Sequence, residues 1–217
     1  MHPVVRDAHV QNNVQSFILQ TLKKKIMKRS SFLRFGFIIG SFLSAPFGVY
    51  ARLKAGKRED KGFKVDSGKD RFDKTISPFE GDTFYRKVST RDTDGDMFIF
   101  ESTRKNEGGP ILHIHYETDE FWYVLQGEFL IKVGDKTYNA KPGDLVFGPR
   151  MVPHTFAKIG QGEAKVIIGH QPAGKMEEYF QKLSDGIAKN MSEEERNNMR
   201  KEHGFEKVGP PLTYLKQ

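Results

Sequence analysis

The stretch LHIHYETDEFWYVLQGE, residues 112–128, places His113 and His115 one residue apart and Glu120 five residues after the second. Only seven histidines occur in 217 residues, so the pairing calls for a reason. In an extended strand alternate side chains share a face, so His113 and His115 point one way and Ile114 the other. Glu120 opens the next run after a bend at YETD, close enough within a hairpin to approach the same point. Downstream, GDLVFGPRMVPHTF brings His154 onto a strand after two prolines. Three imidazoles and one carboxylate suit a single divalent transition metal (Fe, Mn, Ni, Co, Cu or Zn), and the donor types do not choose among these. Four protein ligands leave one or two positions for water, substrate or O₂, the mark of a site for chemistry or ligand binding rather than a closed structural one. Asp119 and Glu117 compete for the carboxylate role. Glu117 shares a face with His115 by parity but lies too near to curl back, so Glu120 is the expected ligand.

Elements must exist to hold these residues. From 83 to 171, short runs rich in β-branched and aromatic residues recur: TFYRKVS, MFIFEST, ILHIHY, FWYVLQ, EFLIKV, KTYNA, LVFGP, HTFAKI and AKVIIGH. Turn chemistry separates them. Gly134-Asp135 suits a tight hairpin whose first central residue needs positive φ, and Pro142-Gly143 suits the middle of a type II turn. About nine strands at this spacing predict an all-β antiparallel sandwich or barrel. After Pro172 the period turns helical. Met176, Tyr179, Phe180 and Leu183 form one stripe ending at Gly186, and Ser192 with Glu195 reads as a capping box for a second helix ending at Gly204. Residues 172–217 are therefore a helical extension.

The spacing resembles that of the cupins. Their first motif is a glycine, His-X-His, three or four residues, Glu, six residues and Gly. His113, His115, Glu120 and Gly127 fit it, while Gly108 lies one residue nearer the first histidine than the pattern asks. Gly143, Pro149 and His154 fit the second motif, in which Met151 replaces a glycine and Lys158 an asparagine. The resemblance implies a cupin jelly-roll β-barrel over 83–171, carrying two C-terminal helices. It also implies a metal held by His113, His115, Glu120 and His154, and a homodimer. More narrowly, PILHIHYETDEFWYVLQGEF and HQPAGKMEEYF look like small single-domain, quercetinase-like cupins. That likeness implies a dioxygenase acting on a small aromatic or enolisable substrate, with Glu120 doubling as catalytic base. Two alternatives stay open: a non-catalytic periplasmic module that binds a small ligand or metal, and a metal-dependent sugar or keto-acid isomerase. Aromatic residues opposite the metal favour the dioxygenase and polar ones the isomerase.

Trp122 and Val124 share the Glu120 face of a regular strand, and Phe156 shares that of His154, so these three are the expected substrate-pocket wall. Met97, Phe98, Ile99 and Phe100 read as core. His170 has no motif role and reads as a satisfied core histidine, and His203, in a charged helix, as solvent-facing. No Ser-His-Asp set or phosphate-cradling glycine loop stands out.

The net charge of +7 raises the question of nucleic acid. Residues 1–51 hold seven basic side chains (Arg6, Lys23, Lys24, Lys25, Lys28, Arg29 and Arg34) against Asp7 alone, which accounts for six of those charges. The remainder lacks a basic footprint for phosphate backbones, so nucleic acid is excluded as the expected partner and a small molecule takes its place. The leader itself runs from KKKIMKRSSFLRF through an apolar FGFIIGSFLSAPFGVY to Val49-Tyr50-Ala51. That is the layout of a secretory signal, so a periplasmic or secreted protein is expected, with Met27 a competing start. Phe35 to Tyr50 is shorter than the roughly 20 residues a spanning helix needs. Residues 52–82, charged and Gly-rich, read as a linker. The absence of cysteine rules out disulfides and thiolate metal sites.

Overall fold

The computed structural model describes residues 58–212, and the predicted leader lies outside them. Among the described residues no helix is long and apolar enough to cross a membrane. All nine predicted strands form: β1 (Asp82–Val88), β2 (Phe98–Arg104), β3 (Ile111–His115), β4 (Asp119–Gln126), β5 (Glu128–Val133), β6 (Lys136–Ala140), β7 (Leu145–Gly148), β8 (His154–Ile159) and β9 (Ala164–Gln171). A one-turn helix, α1 (Thr90–Thr93), follows β1; α2 (Met176–Ser184) and α3 (Glu193–Glu202) follow β9.

A tenth strand, β10 (Phe205–Pro211), escaped the sequence reading. It returns the extension to the barrel and pairs antiparallel with β3, Phe205 opposite His115 and Lys207 opposite His113. Two five-stranded antiparallel sheets result, in the orders β1-β2-β9-β4-β7 and β10-β3-β8-β5-β6. Together they make the jelly roll expected of 83–171.

The turns behave as their residues dictate. Gly134 takes φ 57° in a two-residue hairpin between Val133 and Lys136. Gly143 takes φ 94°, and the Asp144 N–H donates to Lys141 O at 2.9 Å. Met151 adopts φ 62°, the left-handed conformation of the glycine it replaces in the motif, at a cost of about 1 kcal/mol. Its N–H donates to His115 O at 2.8 Å, which ties the turn before β8 to the histidine strand. Gly109 meets a different demand: a Cβ there would stand 1.6 Å from Phe156 O, so the loop before β3 can press on β8 only as glycine.

Between the sheets lies a core built on Phe84, Phe98, Phe100, Trp122, Val124, Phe129, Ile131 and Val166. Phe98 and Phe100 are core as expected, and Phe84 stacks on Phe100 at 4.4 Å. The segment before β1 is anchored rather than loose. Asp70 Oδ2 accepts from Arg86 N at 2.8 Å and Nε at 3.0 Å, while Oδ1 accepts from Nη2 at 2.9 Å. Buried Ile76 forms a β-bridge with Phe84.

Both helices follow the predicted stripe and cap. Met176 and Tyr179 are buried, and the Ser192–Glu195 capping box is complete. His203 corrects the reading from sequence. It is 3% exposed, its Nδ1 donates to Met199 O at 2.6 Å, and its Nε2 faces Lys182 Nζ at 3.3 Å. It ends α3 where the chain folds back beside Tyr179 of α2, so the charged helix around it says nothing about its own side.

Candidate metal centre

Strand parity and the β3–β8 pairing build the centre. His113 and His115 project from one face of β3, and His154 opens β8 directly opposite His113. Glu120, at the start of β4, reaches the same point from the other sheet. One donor atom from each of His113, His115, Glu120 and His154 lies within 4.8 Å of the rest, and all four residues are buried. Glu120 Oε2 is 3.2 Å from His115 Nε2, 3.2 Å from His154 Nε2 and 3.8 Å from His113 Nε2. The competing acids go elsewhere: Asp119 pairs with Arg150 at 2.6 Å, and Glu117 is exposed.

Backbone contacts fix the tautomers of two rings. His113 Nδ1–H donates to Ile111 O and His154 Nδ1–H to Val152 O, each at 2.8 Å. Neutral, each ring must then aim a bare Nε2 lone pair at a carboxylate oxygen, which is also an acceptor. His154 Nε2 is buried and has no hydrogen-bond partner. Acceptors crowded together out of water are costly unless a cation lies among them. The donor set, its burial and its orphaned nitrogen all fit one divalent ion.

Burial acts to raise the Glu120 carboxyl, but His170, His113, His115 and His154 together hold it well below the usual range, so it is ionised. Burial lowers His115.

His170 is the residue that sequence reasoning missed. It pairs across the sheet with Glu120, its Nε2 is 3.7 Å from Glu120 Oε2, and its Nδ1 is buried without a partner. Burial pushes it down to about 3, so it is neutral at pH 7. It is not the satisfied histidine expected. The only sequence signal was its parity with Ile168 on β9, which carries no information about register.

A cavity of about 390 Å³ opens from this centre, bounded by Phe84, Phe100, Phe156 and Phe205. Phe156 lines this cavity. Trp122 and Val124 do not: both are fully buried and absent from the wall. They do share the face of Glu120, but Trp122 packs edge-on behind His154, ring centroids 5.4 Å apart, and supports the ligand from beneath.

Beyond Phe156 the cavity meets a buried ion pair. Arg104 ends β2 opposite Asp82 of β1, with Nη2 to Oδ2 at 2.9 Å and both side chains at most 9% exposed. Burial raises Asp82 to about 6 despite Arg104. A raised carboxylate contributes its stability fully below its unfolded value, near 3.8, and loses it as pH rises through about 6. Asp82→Asn should therefore flatten the pH–stability profile over that window. Wild type should lose up to about 3 kcal/mol relative to the variant by urea titration between its two ends, and parallel profiles would refute the assignment.

Residues 99–169 match the model of the Cupin domain family. An uncharacterized protein of Methanocaldococcus jannaschii is 31% identical over 62 residues, 29% of this chain, which spans half the length of that curated relative. Similar solved structures include KdgF from Halomonas sp. (18% identity, 52% of this chain and 94% of that one, TM-score 0.43). Another is an RmlC-like cupin from Shewanella frigidimarina (16%, 54% and 95%, TM-score 0.42). A third is a predicted oxalate decarboxylase from Thermotoga maritima (18%, 45% and 90%, TM-score 0.40). The matched segment runs from β2 to β9 and encloses all four donors, so residues 99–169 form a cupin domain.

Proposed function

We propose that this cupin is a metal-dependent dioxygenase acting on a small aromatic or enolisable substrate in the cavity beside His113, His115, Glu120 and His154. The observation that carries the metal is the confrontation of bare imidazole nitrogens with an ionised carboxylate in a buried site. The observation that favours an aromatic substrate over a sugar is the wall of Phe84, Phe100, Phe156 and Phe205.

When bound, a divalent ion supplies Lewis acidity that makes a substrate hydroxyl easier to ionise. The three histidines contribute Nε2, held in orientation by the carbonyls of Ile111 and Val152 for His113 and His154. Glu120 is ionised, so its carboxylate is the group here that can accept the hydroxyl proton. The phenylalanine walls keep water from the carbanion-like substrate that results. The basic and apolar leader supports export to the periplasm or beyond.

Oxygen uptake with flavonols and other enolisable phenols tests the reading, using full chain purified without chelator and supplied with each first-row metal in turn. Uptake that is metal-dependent and falls at least roughly 100-fold in Glu120→Gln is expected, the range typical of a lost general base. No uptake with any metal would overturn the dioxygenase and leave a binding module.

A further inference from the structure

The Arg104–Asp82 pair is unexplained by the metal centre and lies at the polar end of the cavity, beside Asn106 and Glu107. Burying two charges costs several kcal/mol per ion unless their remaining donors and acceptors are used. Here they are not: Arg104 Nε and Asp82 Oδ2 are both buried without a hydrogen-bond partner. The 2.9 Å contact, made by Nη2 alone, compensates charge without the alignment of a bidentate pair. The guanidinium carbon lies 5.0 Å from the centroid of the Phe156 ring, within cation–π range on the cavity wall. Arg200, the other guanidinium on the wall, is engaged by Asn197 Oδ1 at 2.6 Å and Glu193 Oε1 at 3.3 Å.

We propose that Arg104 is the anion-binding group of this cavity and that the substrate is an organic acid, its carboxylate docking on Arg104 while its other end reaches the His113–His154 centre. This rests on the reading of that centre as the place where substrate reacts. A carboxylate suits the site because its single negative charge matches the one guanidinium that Asp82 meets through Nη2 alone. A phosphate ester suits it poorly, since Asp82 would face a dianion with only one guanidinium available. Length is set by β8: His154 and Phe156 stand about 7 Å apart along the strand, and Arg104 lies over the second. A single aromatic ring bridges that step, in contact with Phe156 and Phe100.

Calorimetric titration of the metal-loaded full chain compares 4-hydroxycinnamate, its methyl ester and phenyl phosphate. The acid should bind at least tenfold tighter than either. Arg104→Gln should abolish that preference with metal content unchanged, and Arg104→Lys should restore part of it. Asp82→Asn, which leaves the guanidinium uncompensated, should tighten the acid several-fold, and this arm stands even if Arg104→Gln does not fold. Equal binding of acid and ester, no binding of the acid, tighter binding of the phosphate, or an unchanged affinity in Asp82→Asn would each overturn the proposal. Metal content separates the two readings. A wild type without metal that still prefers the acid would sink the metal centre and leave the anion site standing.

Discussion

His154→Ala, and His113→Ala beside it, should reduce metal from near-stoichiometric to trace in chain purified without chelator. Each removes one of four donors that converge on the same point, with Nε2 of His154 3.2 Å from Glu120 Oε2. Loss of an outer-shell partner alone costs roughly 10–100-fold in metal affinity, and loss of a ligand should exceed that. Mass spectrometry of the purified protein measures it directly. Melting curves give a second readout, because an ion bound to the folded state stabilises by mass action. Chelator should lower the wild-type melting temperature and leave both variants unmoved. Full metal content in either variant would refute the four-residue centre.

The second large effect is on stability. Trp122→Ala removes the largest fully buried side chain of the described residues from beneath His154 and beside Gly148. A buried Trp-to-Ala change costs about 3–5 kcal/mol through lost transfer energy and the cavity left behind. Urea titration checks it. Trp122→Phe should cost much less, because the indole Nε1 is buried with no partner and its removal breaks no hydrogen bond. A loss under about 1 kcal/mol in Trp122→Ala would mean that the site collapses freely, contrary to a packed support.

What could be read beforehand follows from the range of the interactions. His113 and His115 are two residues apart, so strand parity alone sets their common face, and Glu120 is one bend away. His154 lies forty residues on, yet it was placed by the turn residues before it and by resemblance. The turns at Gly134 and Gly143 are decided by four or five neighbouring atoms, and their φ values came out as their residues demand. His170 and Arg104 were opaque for the opposite reason. Their roles come from register: Glu120 falls opposite His170, and Asp82 opposite Arg104, through pairings fixed by whole strands. Trp122 and Val124 show the limit of parity: it gives the face but not whether that face meets ligand or core. The final strand was illegible because FEKVGPP barely alternates and ends in two prolines, so β3 supplies the order it lacks.

That late strand sets a timetable. Ninety residues separate His115 from Phe205, its partner across the sheet. At roughly 5–20 residues per second, the edge of the histidine strand waits about 5 to 18 seconds during synthesis before its cover exists. Phe205 is also the ring that packs on both β3 histidines, at 5.7 Å from His113 and 5.4 Å from His115. The histidine strand is therefore covered by the last element among the described residues. Donors open that long are accessible to ions before closure, and which divalent ion such a set selects depends on availability as much as on geometry.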